Sequence, residues 1–400
     1  MPHSKRGLGR FLPLRSLMMF AKNSDTQGPK FTFSNGRFLG FPLAFASLIA
    51  LPILTSATPA QAAQNSIGTA TLTQGSCQNS GLANGSCYRA VVSGCPEATA
   101  DFAAAVKINQ PANVSQLRGT VFFTTGGTGT SYYDYDSEFQ GDIRCSGSNC
   151  GLFVVSQINA ANYRTVQINF VDPEQQISEP DGWLTGPATD GPRALACRYA
   201  TVVHAVWNLL LSSDTAHPVC ATGNSGGAGL IAYAITQYGM GNPSGPGPMF
   251  SMVETTSGPP YGRIDKGCAG TAAPDPSVGC PKGVKISEDY GIQTAQDFVD
   301  PAYPSPVCST DINSRGKTGD PSFRHDSVVS DDFPRPTYQT VVRMLFGSDD
   351  LSAAVPLSTE WYNVIKSSKS AMCVSGAPHA LPGNFDGAEA IVKDVTTRCK

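Results

Sequence analysis

The chain has 400 residues, with 28 Lys and Arg against 31 Asp and Glu, so its formal net charge at pH 7 is −3. Hydrophobic residues make up 40% of the chain and charged residues 15%, which excludes the apolar-poor, highly charged composition of an intrinsically disordered protein. Residues 1–62 hold seven basic residues and one acidic residue, leaving 21 basic and 30 acidic residues for positions 63–400. This acidic body argues against nucleic acid or an anionic membrane as the main partner.

Residues 1–62 have the form of a secretory signal peptide with a long basic n-region. The apolar run over residues 41–54 contains two prolines and is short for a membrane span. Ala60-Gln61-Ala62 supplies a small-residue cleavage site. We therefore expect a secreted or periplasmic protein with no membrane partner, whose catalytic domain covers residues 63–400. An N-terminal membrane anchor is the alternative, and a start at Met18 or Met19 would account for the long n-region.

All twelve cysteines follow the cleavage site, and an even number in an exported chain predicts disulfide bonds. Cys145 and Cys150 flank a four-residue loop and form the expected local bridge. Cys197–Cys220 and Cys373–Cys399 are expected because each pair brackets one helix–strand unit, and the other pairings stay open. The chain contains no C-x-x-C motif and no histidine pair at ligand spacing, so we expect no metal site.

Predicted strands and helices alternate along the chain after an irregular or edge-strand start at residues 63–86. This alternation predicts an α/β fold with a mostly parallel sheet flanked by helices. A last helix is expected to be capped by Asp386 and to run to about Thr397. The other expected strands cover residues 119–125, 165–171, 219–222, 250–255, 338–346 and 371–375, and the other helices cover residues 152–163, 192–213, 228–238 and 357–367.

Residues 256–336 interrupt this alternation between two predicted strands. They are rich in Pro and Gly, contain three cysteines and show little periodicity. So long a segment without regular structure is unusual in a compact domain unless it has a role over a site. We therefore expect a disulfide-stapled lid or cap insertion.

Gly223-Asn224-Ser225-Gly226-Gly227 fits the pattern G-x-S-x-G between a predicted strand and a helix rich in small residues. A sharp strand-to-helix turn needs glycines because the backbone packs closely around the serine, which then presents its hydroxyl at the edge of the sheet. The helix N-terminus points free N–H groups at negative charge that develops there. The turn therefore makes Ser225 a candidate nucleophile.

The segment Gly223–Gly227 is also similar to the G-D-S-G-G motif of chymotrypsin-like proteases, and Thr215-Ala216-His217 is similar to their histidine motif. That fold requires the order His, Asp, Ser. Here His217 lies only eight residues before Ser225, which leaves no room for the first barrel. The residue order therefore excludes this interpretation.

A serine nucleophile needs a base and an acid that orients it. Asp349 and Asp350 follow one predicted strand in Gly347-Ser348-Asp349-Asp350, and His379 follows the next. Serine, aspartate and histidine thus occur in the order found in α/β-hydrolases, each after the carboxyl end of a strand.

On these motifs, residues 119–397 resemble the α/β-hydrolase superfamily, and specifically a secreted serine esterase. The resemblance implies Ser225 as nucleophile, His379 as general base and acid, and Asp350 as the acid by the usual G-x-x-D spacing, with Asp349 as the alternative. It also implies an oxyanion hole formed by the backbone N–H groups of Gly226 and of Gly127 or Thr128. Thr124 or Thr125 replaces the leading histidine of the H-G-G-G loop in lipases and esterases.

We therefore expect an exported serine hydrolase that cleaves small-molecule or polymeric carboxylic esters through an acyl-enzyme, with no cofactor and no nucleic-acid partner. Three alternatives stay open: a peptidase or amidase, a polyester or plant-ester depolymerase on the same fold, and a non-catalytic binding protein. The oligomeric state is also open.

Overall fold

The structure is a computed structural model that describes residues 66–77, 81–98, 100–175, 181–186, 188, 190–272, 275–278, 280, 299–306, 308, 321–330, 338–352 and 354–400. The expected signal peptide at residues 1–62 lies outside the described residues. No helix within these ranges is long and apolar enough to cross a membrane.

One twisted sheet forms the centre of the described chain, with the strand order β1-β2-β3-β5-β4-β6-β7-β8-β9. Pairs from β1 to β5 along this order are antiparallel, and all pairs from β5 to β9 are parallel. The strands are β1 (Thr69–Gly75), β2 (Ser86–Ser93), β3 (Phe102–Asn109), β4 (Gly119–Thr124), β5 (Tyr163–Asn169), β6 (Val219–Asn224), β7 (Phe250–Thr256), β8 (Val341–Gly347) and β9 (Lys369–Val374).

Helices cover both faces of this sheet, as a parallel sheet requires. The region expected as one helix at residues 192–213 is divided into α2, α3 and a π-helical turn at Val206–Leu210. The helices are α1 (Cys150–Ala160), α2 (Gly191–Leu195), α3 (Cys197–Ala205), α4 (Gly226–Thr236), α5 (Ile264–Cys268), α6 (Pro321–Asp326), α7 (Ala354–Val364) and α8 (Phe385–Arg398).

The sheet separates two hydrophobic cores, because successive residues of a strand point to opposite faces. On β4, Phe122 belongs to the core that contains α3 and α4, whereas Val121 and Phe123 belong to the core that contains α1 and α8. All three side chains are buried. The central strands are therefore apolar on both faces, and the parallel strands end together at one edge of the sheet.

The mostly parallel sheet flanked by helices confirms the predicted fold class. The antiparallel strands β2 and β3 were not predicted from the sequence. The cap of α8 was also predicted wrongly. Its N-cap is Asn384, whose Oδ1 accepts hydrogen bonds from the N–H groups of Asp386 and Gly387, while Asp386 forms an ion pair with Arg144.

Six disulfide bonds join the twelve cysteines: Cys77–Cys87, Cys95–Cys197, Cys145–Cys150, Cys220–Cys399, Cys268–Cys308 and Cys280–Cys373. Cys145–Cys150 agrees with the prediction, whereas Cys197–Cys220 and Cys373–Cys399 are wrong. Cys197 and Cys220 lie in different cores, on opposite faces of the sheet. Cys373 likewise bonds Cys280, which packs against the core opposite that of Cys399.

The described parts of residues 256–336 contain α5, α6 and two short 3-10 turns, and several of their side chains are buried in the larger core. One disulfide, Cys268–Cys308, lies within this insertion, and Cys280–Cys373 joins it to β9. Its role as a lid stays a prediction.

Candidate active site

Ser225 lies between the last residue of β6 and the first residue of α4, at the edge where the parallel strands end. Its backbone has φ 49° and ψ −113°, a region that a residue with a side chain seldom adopts and that costs about 1–3 kcal/mol. The turn is held because the N–H of Ser225 donates to the carbonyl oxygen of Thr256 at 2.9 Å. Strain of this kind at a single serine is typical of a nucleophile turn.

The glycines after Ser225 allow two backbones to approach each other. A Cβ atom on Gly226 would lie 2.0 Å from the carbonyl oxygen of Gly127, and one on Gly227 would lie 2.5 Å from that of Thr125. Only glycine fits at both positions. The start of α4 therefore contacts the loop after β4, which contains the expected oxyanion donors.

His379 is paired with Asp350 and not with Asp349. The Nδ1 atom of His379 lies 3.0 Å from Oδ2 of Asp350, whose side chain is fully buried. Asp349 is exposed, and its carboxylate accepts a hydrogen bond from Ser348. Of the two aspartates left open by the sequence, the structure brings Asp350 to the histidine.

The surroundings of Asp350 favour its charged form. Burial alone would raise its pKa, but the hydrogen bond and charge of His379, with two hydrogen bonds from Ser352, outweigh burial and lower the pKa below the usual aspartate value. An ionised aspartate at Nδ1 keeps the proton on that nitrogen, so that Nε2 is free to accept one.

Ser352 was not predicted from the sequence, although it contacts both members of this pair. Its Oγ lies 2.8 Å from Nδ1 of His379, and its N–H donates to Oδ1 of Asp350 at 2.8 Å. The spacing Asp350-x-Ser352 is that of an Asx-turn, in which an aspartate accepts from the backbone two residues on. That local pattern was the signal that could have identified it.

Asn224 connects the serine turn to the histidine loop. With its amide nitrogen facing the acceptors around it, Asn224 donates to the carbonyl oxygen of His379 at 3.2 Å and to Oγ1 of Thr256 at 2.9 Å. Among the described residues, no hydrogen bond joins Ser225 Oγ to His379. Contacts of this kind are often long before substrate binds. The structure thus places the serine, histidine and aspartate at one edge without closing the serine–histidine contact.

The expected oxyanion donors lie beside Ser225, in the loop after β4 and at the start of α4. Gly127 has φ 54°, its carbonyl oxygen accepts a hydrogen bond from Nε1 of Trp183 at 3.3 Å, and the carbonyl oxygen of Thr128 accepts one from the N–H of Trp183 at 3.0 Å. Within the described part of the chain, no group accepts a hydrogen bond from the N–H of Gly127, Thr128 or Gly226. These N–H groups are therefore available to an oxyanion, and that role stays a prediction.

One cluster of potential metal ligands occurs among the described residues, formed by Asp190, His325 and Asp326. Both of its carboxylates contact the guanidinium of Arg193, and the hydroxyl of Tyr303 donates to Asp326 at 2.7 Å. An arginine already supplies the positive charge that a metal ion would bring, so this cluster is better described as a partly buried ion-pair network.

The sequence matches no protein-family model and no curated protein. Solved structures similar to it include an acylaminoacyl peptidase from Pyrococcus horikoshii, with 9% identity, a TM-score of 0.47, and coverage of 84% of this chain and 42% of the peptidase. Dienelactone hydrolase from Anabaena variabilis has 11% identity, a TM-score of 0.38, and coverage of 82% and 96%. Acetyl xylan esterase 1 from Thermoanaerobacterium sp. JW/SL YS485 has 15% identity, a TM-score of 0.40, and coverage of 78% and 83%.

The chain has the α/β-hydrolase fold. This assignment rests on the strand order, on the strained serine between β6 and α4, and on the acid and histidine after β8 and β9. The three similar structures above are too distant to support it. The chain spans less than half of the peptidase. What these relatives act on says nothing by itself about the substrate here.

Proposed function

We propose that this protein is an exported serine hydrolase that cleaves carboxylic esters through an acyl-enzyme intermediate. The observation that carries the proposal is the imidazole of His379, held at Nδ1 by the buried carboxylate of Asp350, beside the strained turn that contains Ser225. A histidine that has a buried, ionised carboxylate at Nδ1 and lies beside a strained serine turn is typical of a catalytic site.

In this mechanism, Oγ of Ser225 attacks the ester carbonyl while Nε2 of His379 takes the hydroxyl proton. Asp350 stabilises the imidazolium that forms, and the same proton then passes to the leaving alcohol. Water repeats the sequence on the acyl-enzyme and releases the carboxylic acid. No metal or organic cofactor is required by these steps.

The N–H groups of Gly226 and of Gly127 or Thr128 would bind the oxyanion of the tetrahedral intermediate. A fixed donor of this kind is worth about 3–4 kcal/mol of transition-state stabilisation. The contact between Gly226 and Gly127 supports a shared role, because it keeps the two backbones at a fixed separation.

The triad geometry is compatible with both ester and amide hydrolysis. We prefer ester hydrolysis because the sequence motifs resemble those of secreted serine esterases. The acidic body of residues 63–400 favours a neutral ester over an anionic one. Six disulfide bonds support an oxidising compartment, and the leader at residues 1–62 supports export.

The test compares p-nitrophenyl acetate hydrolysis by the wild type, Ser225→Ala and Ser115→Ala. Ser115 is exposed and precedes β4, at the opposite edge of the sheet, so its variant is a matched control. We expect Ser225→Ala to lose roughly 10⁶-fold in kcat and to escape labelling by a fluorophosphonate probe, with Ser115→Ala unchanged. Equal rates for Ser225→Ala and the wild type would exclude the proposal. If the probe labels the wild type but the enzyme cleaves only p-nitroanilide peptides, the protein is a peptidase and not an esterase.

A further inference from the structure

A cavity of about 330 Å³ opens at the carboxyl end of β5, beside the loop that follows the expected oxyanion donors. Its volume lies within the range of small-molecule sites in proteins. Three apolar residues and six residues with polar groups line it, and the six are Thr130, Ser131, Tyr132, Tyr135, Ser137 and Asn169.

The lining of this cavity carries hydroxyl and amide groups but no charged side chain. Two carboxylates next to the lining in sequence, Asp136 and Asp172, already have partners: Asp136 accepts a hydrogen bond from the hydroxyl of Ser131 at 2.5 Å, and Asp172 pairs with Arg89 at 2.7 Å. A charged ligand would therefore lose its hydration without finding an opposite charge. The chemistry of the lining points to a neutral ligand with several hydroxyl groups.

Asn169 indicates which kind of polar group a ligand in this cavity would supply. Its Oδ1 atom is buried and has no hydrogen-bond partner among the described residues, although buried acceptors in proteins are nearly always paired. A ligand hydroxyl would supply the donor that this oxygen lacks. An alkyl chain in the same place would leave the oxygen unpaired.

Tyr135 supplies a flat apolar surface at the same cavity. Its side chain is 48% exposed, while the neighbouring Tyr132 and Tyr133 are buried. An aromatic ring at the rim of a hydroxyl-lined cavity packs well against the C–H face of a sugar ring, since such a ring is apolar on its face and polar at its edge.

The cavity is also within reach of the nucleophile. It lies at the end of β5, and only β4 stands between β5 and β6, which leads to Ser225. Two strand spacings are about 10 Å, roughly the length of a disaccharide. The hydroxyl of Thr125 donates to the carbonyl oxygen of Ser131 at 3.2 Å, which ties the cavity wall to the oxyanion loop.

We infer that this cavity is a subsite for a neutral sugar unit of the ester substrate. The inference rests on the proposed function for its role in catalysis, but sugar binding itself does not require hydrolysis. The sugar hydroxyls donate to Asn169 and exchange hydrogen bonds with the serine and threonine hydroxyls, and the ring packs against Tyr135. A substrate ester would be carried on a second sugar unit that reaches Ser225.

The test measures binding of cellobiose to the Ser225→Ala protein by saturation-transfer NMR and titration, so that no turnover interferes. We expect saturable binding that Asn169→Leu weakens about tenfold, the loss of one hydrogen bond, and that Tyr135→Ala also weakens. Asn113→Leu is the matched control, since Asn113 is exposed and precedes β4 at the other edge of the sheet. Circular dichroism confirms that each variant is folded.

Absence of saturable binding, or equal affinities for Asn169→Leu and Asn113→Leu, would overturn the inference. Equal competition by cyclohexanol, which has similar size but one hydroxyl, would also overturn it and indicate an apolar subsite. These outcomes are independent of the proposed function. A protein that binds cellobiose at Asn169 but hydrolyses no ester would retain the subsite and lose the esterase assignment.

Discussion

At the scale of single residues, the position of one carboxylate separates two neighbouring aspartates with the same chemistry. Asp350 is buried and contacts Nδ1 of His379, while Asp349 is exposed and its carboxylate accepts a hydrogen bond from Ser348. Both follow β8 directly in sequence. Substituting each aspartate in turn therefore tests the contact with His379 and leaves the local backbone nearly unchanged.

Asp350→Asn should lower kcat/KM for p-nitrophenyl acetate by roughly 10⁴-fold, because an amide no longer favours the tautomer with a proton on Nδ1. Asp349→Asn is the control and should stay within about threefold of the wild type, as expected for an exposed turn residue. Steady-state kinetics at pH 8 measure both. A large loss for Asp349→Asn with little loss for Asp350→Asn would reverse the assignment.

Ser352 should act as a positioning residue for the same histidine. Ser352→Ala removes the hydroxyl at 2.8 Å from Nδ1 but keeps the N–H that bonds Asp350, so we expect kcat to fall about tenfold with KM unchanged. The acid limb of the pH profile of kcat/KM should move as well. Ser352→Thr, which keeps the hydroxyl, should restore most of kcat, and an unchanged pH profile for Ser352→Ala would show that its role is only structural.

At the scale of secondary-structure elements, the contact between α4 and the loop after β4 sets the geometry of the expected oxyanion site. The two backbones touch through Gly226 and Gly127, where no side chain fits. The loop is held from its other side by Trp183, which is fully buried. Neither element can shift without moving the other.

Gly226→Ala should displace this loop, because its Cβ would lie 2.0 Å from the carbonyl oxygen of Gly127. We expect kcat to fall about 10²-fold or more, the effect of losing one oxyanion donor. Gly75→Ala is the matched control, since a Cβ on Gly75 at the end of β1 meets no atom within 4 Å. Steady-state rates together with thermal unfolding show whether the loss is catalytic, and equal rates in both variants would contradict the expected packing.

A second contact between elements joins the middle of the sheet to the last helix. Glu254 on β7 is fully buried, accepts a hydrogen bond from Thr222, and lies near Asp394 of α8, which pairs with Arg343. Burial, followed by the negative charge of Asp394, raises the pKa of Glu254 well above its usual value. The folded protein therefore keeps a proton on this carboxyl that the unfolded chain releases.

This proton makes stability depend on pH. Because the folded pKa of Glu254 is raised, its contribution is fully present below the ordinary glutamate pKa and is lost as pH rises towards the folded value, by up to about 1.4 kcal/mol per pH unit. Glu254→Gln should remove that part of the slope between pH 5 and pH 8. Urea unfolding measures it, with Glu360→Gln, which breaks a partly exposed ion pair with Lys266, as the control. Parallel curves for the wild type and Glu254→Gln would contradict the protonated state.

At the scale of the whole molecule, disulfide bonds join segments that are far apart in the chain. Cys220 on β6, just before the serine turn, is bonded to Cys399 after α8, at a sequence separation of 179. Cys145 and Cys150 have a sequence separation of only 5. All four cysteines are buried in the same core, so the two bonds differ chiefly in the length of the chain that they constrain.

Replacing both Cys220 and Cys399 by Ala should lower the free energy of unfolding by about 5 kcal/mol, and the same change at Cys145 and Cys150 by about 2 kcal/mol, from the loop entropy of the unfolded chain. Guanidinium unfolding of the two double variants measures this difference. Residual ester hydrolysis before the transition shows that the site is still assembled. Equal losses would show that loop length does not govern stabilisation in this protein.

The amino-acid sequence by itself determined the fold class and the order of the candidate catalytic residues. Alternating strand and helix patterns require a mostly parallel sheet, and a glycine-rich turn between strand and helix marks Ser225, because both signals come from residues close together in the chain. The resemblance to α/β-hydrolases, through their usual G-x-x-D spacing, also favoured Asp350, although the sequence could not exclude Asp349. Local signals of this kind can be identified without knowing which residues contact each other in the folded protein.

Only the tertiary structure decided which groups meet. Cys197 and Cys220 are close in sequence but point to opposite faces of the sheet, so each bonds a cysteine far along the chain. Ser352, in the loop after β8, and Asn224, at the end of β6, reach His379 only because β6, β8 and β9 end at one edge of the sheet. The physical reason is that side-chain direction and strand order arise from packing across the whole sheet. A local stretch of sequence does not contain the information that determines this packing.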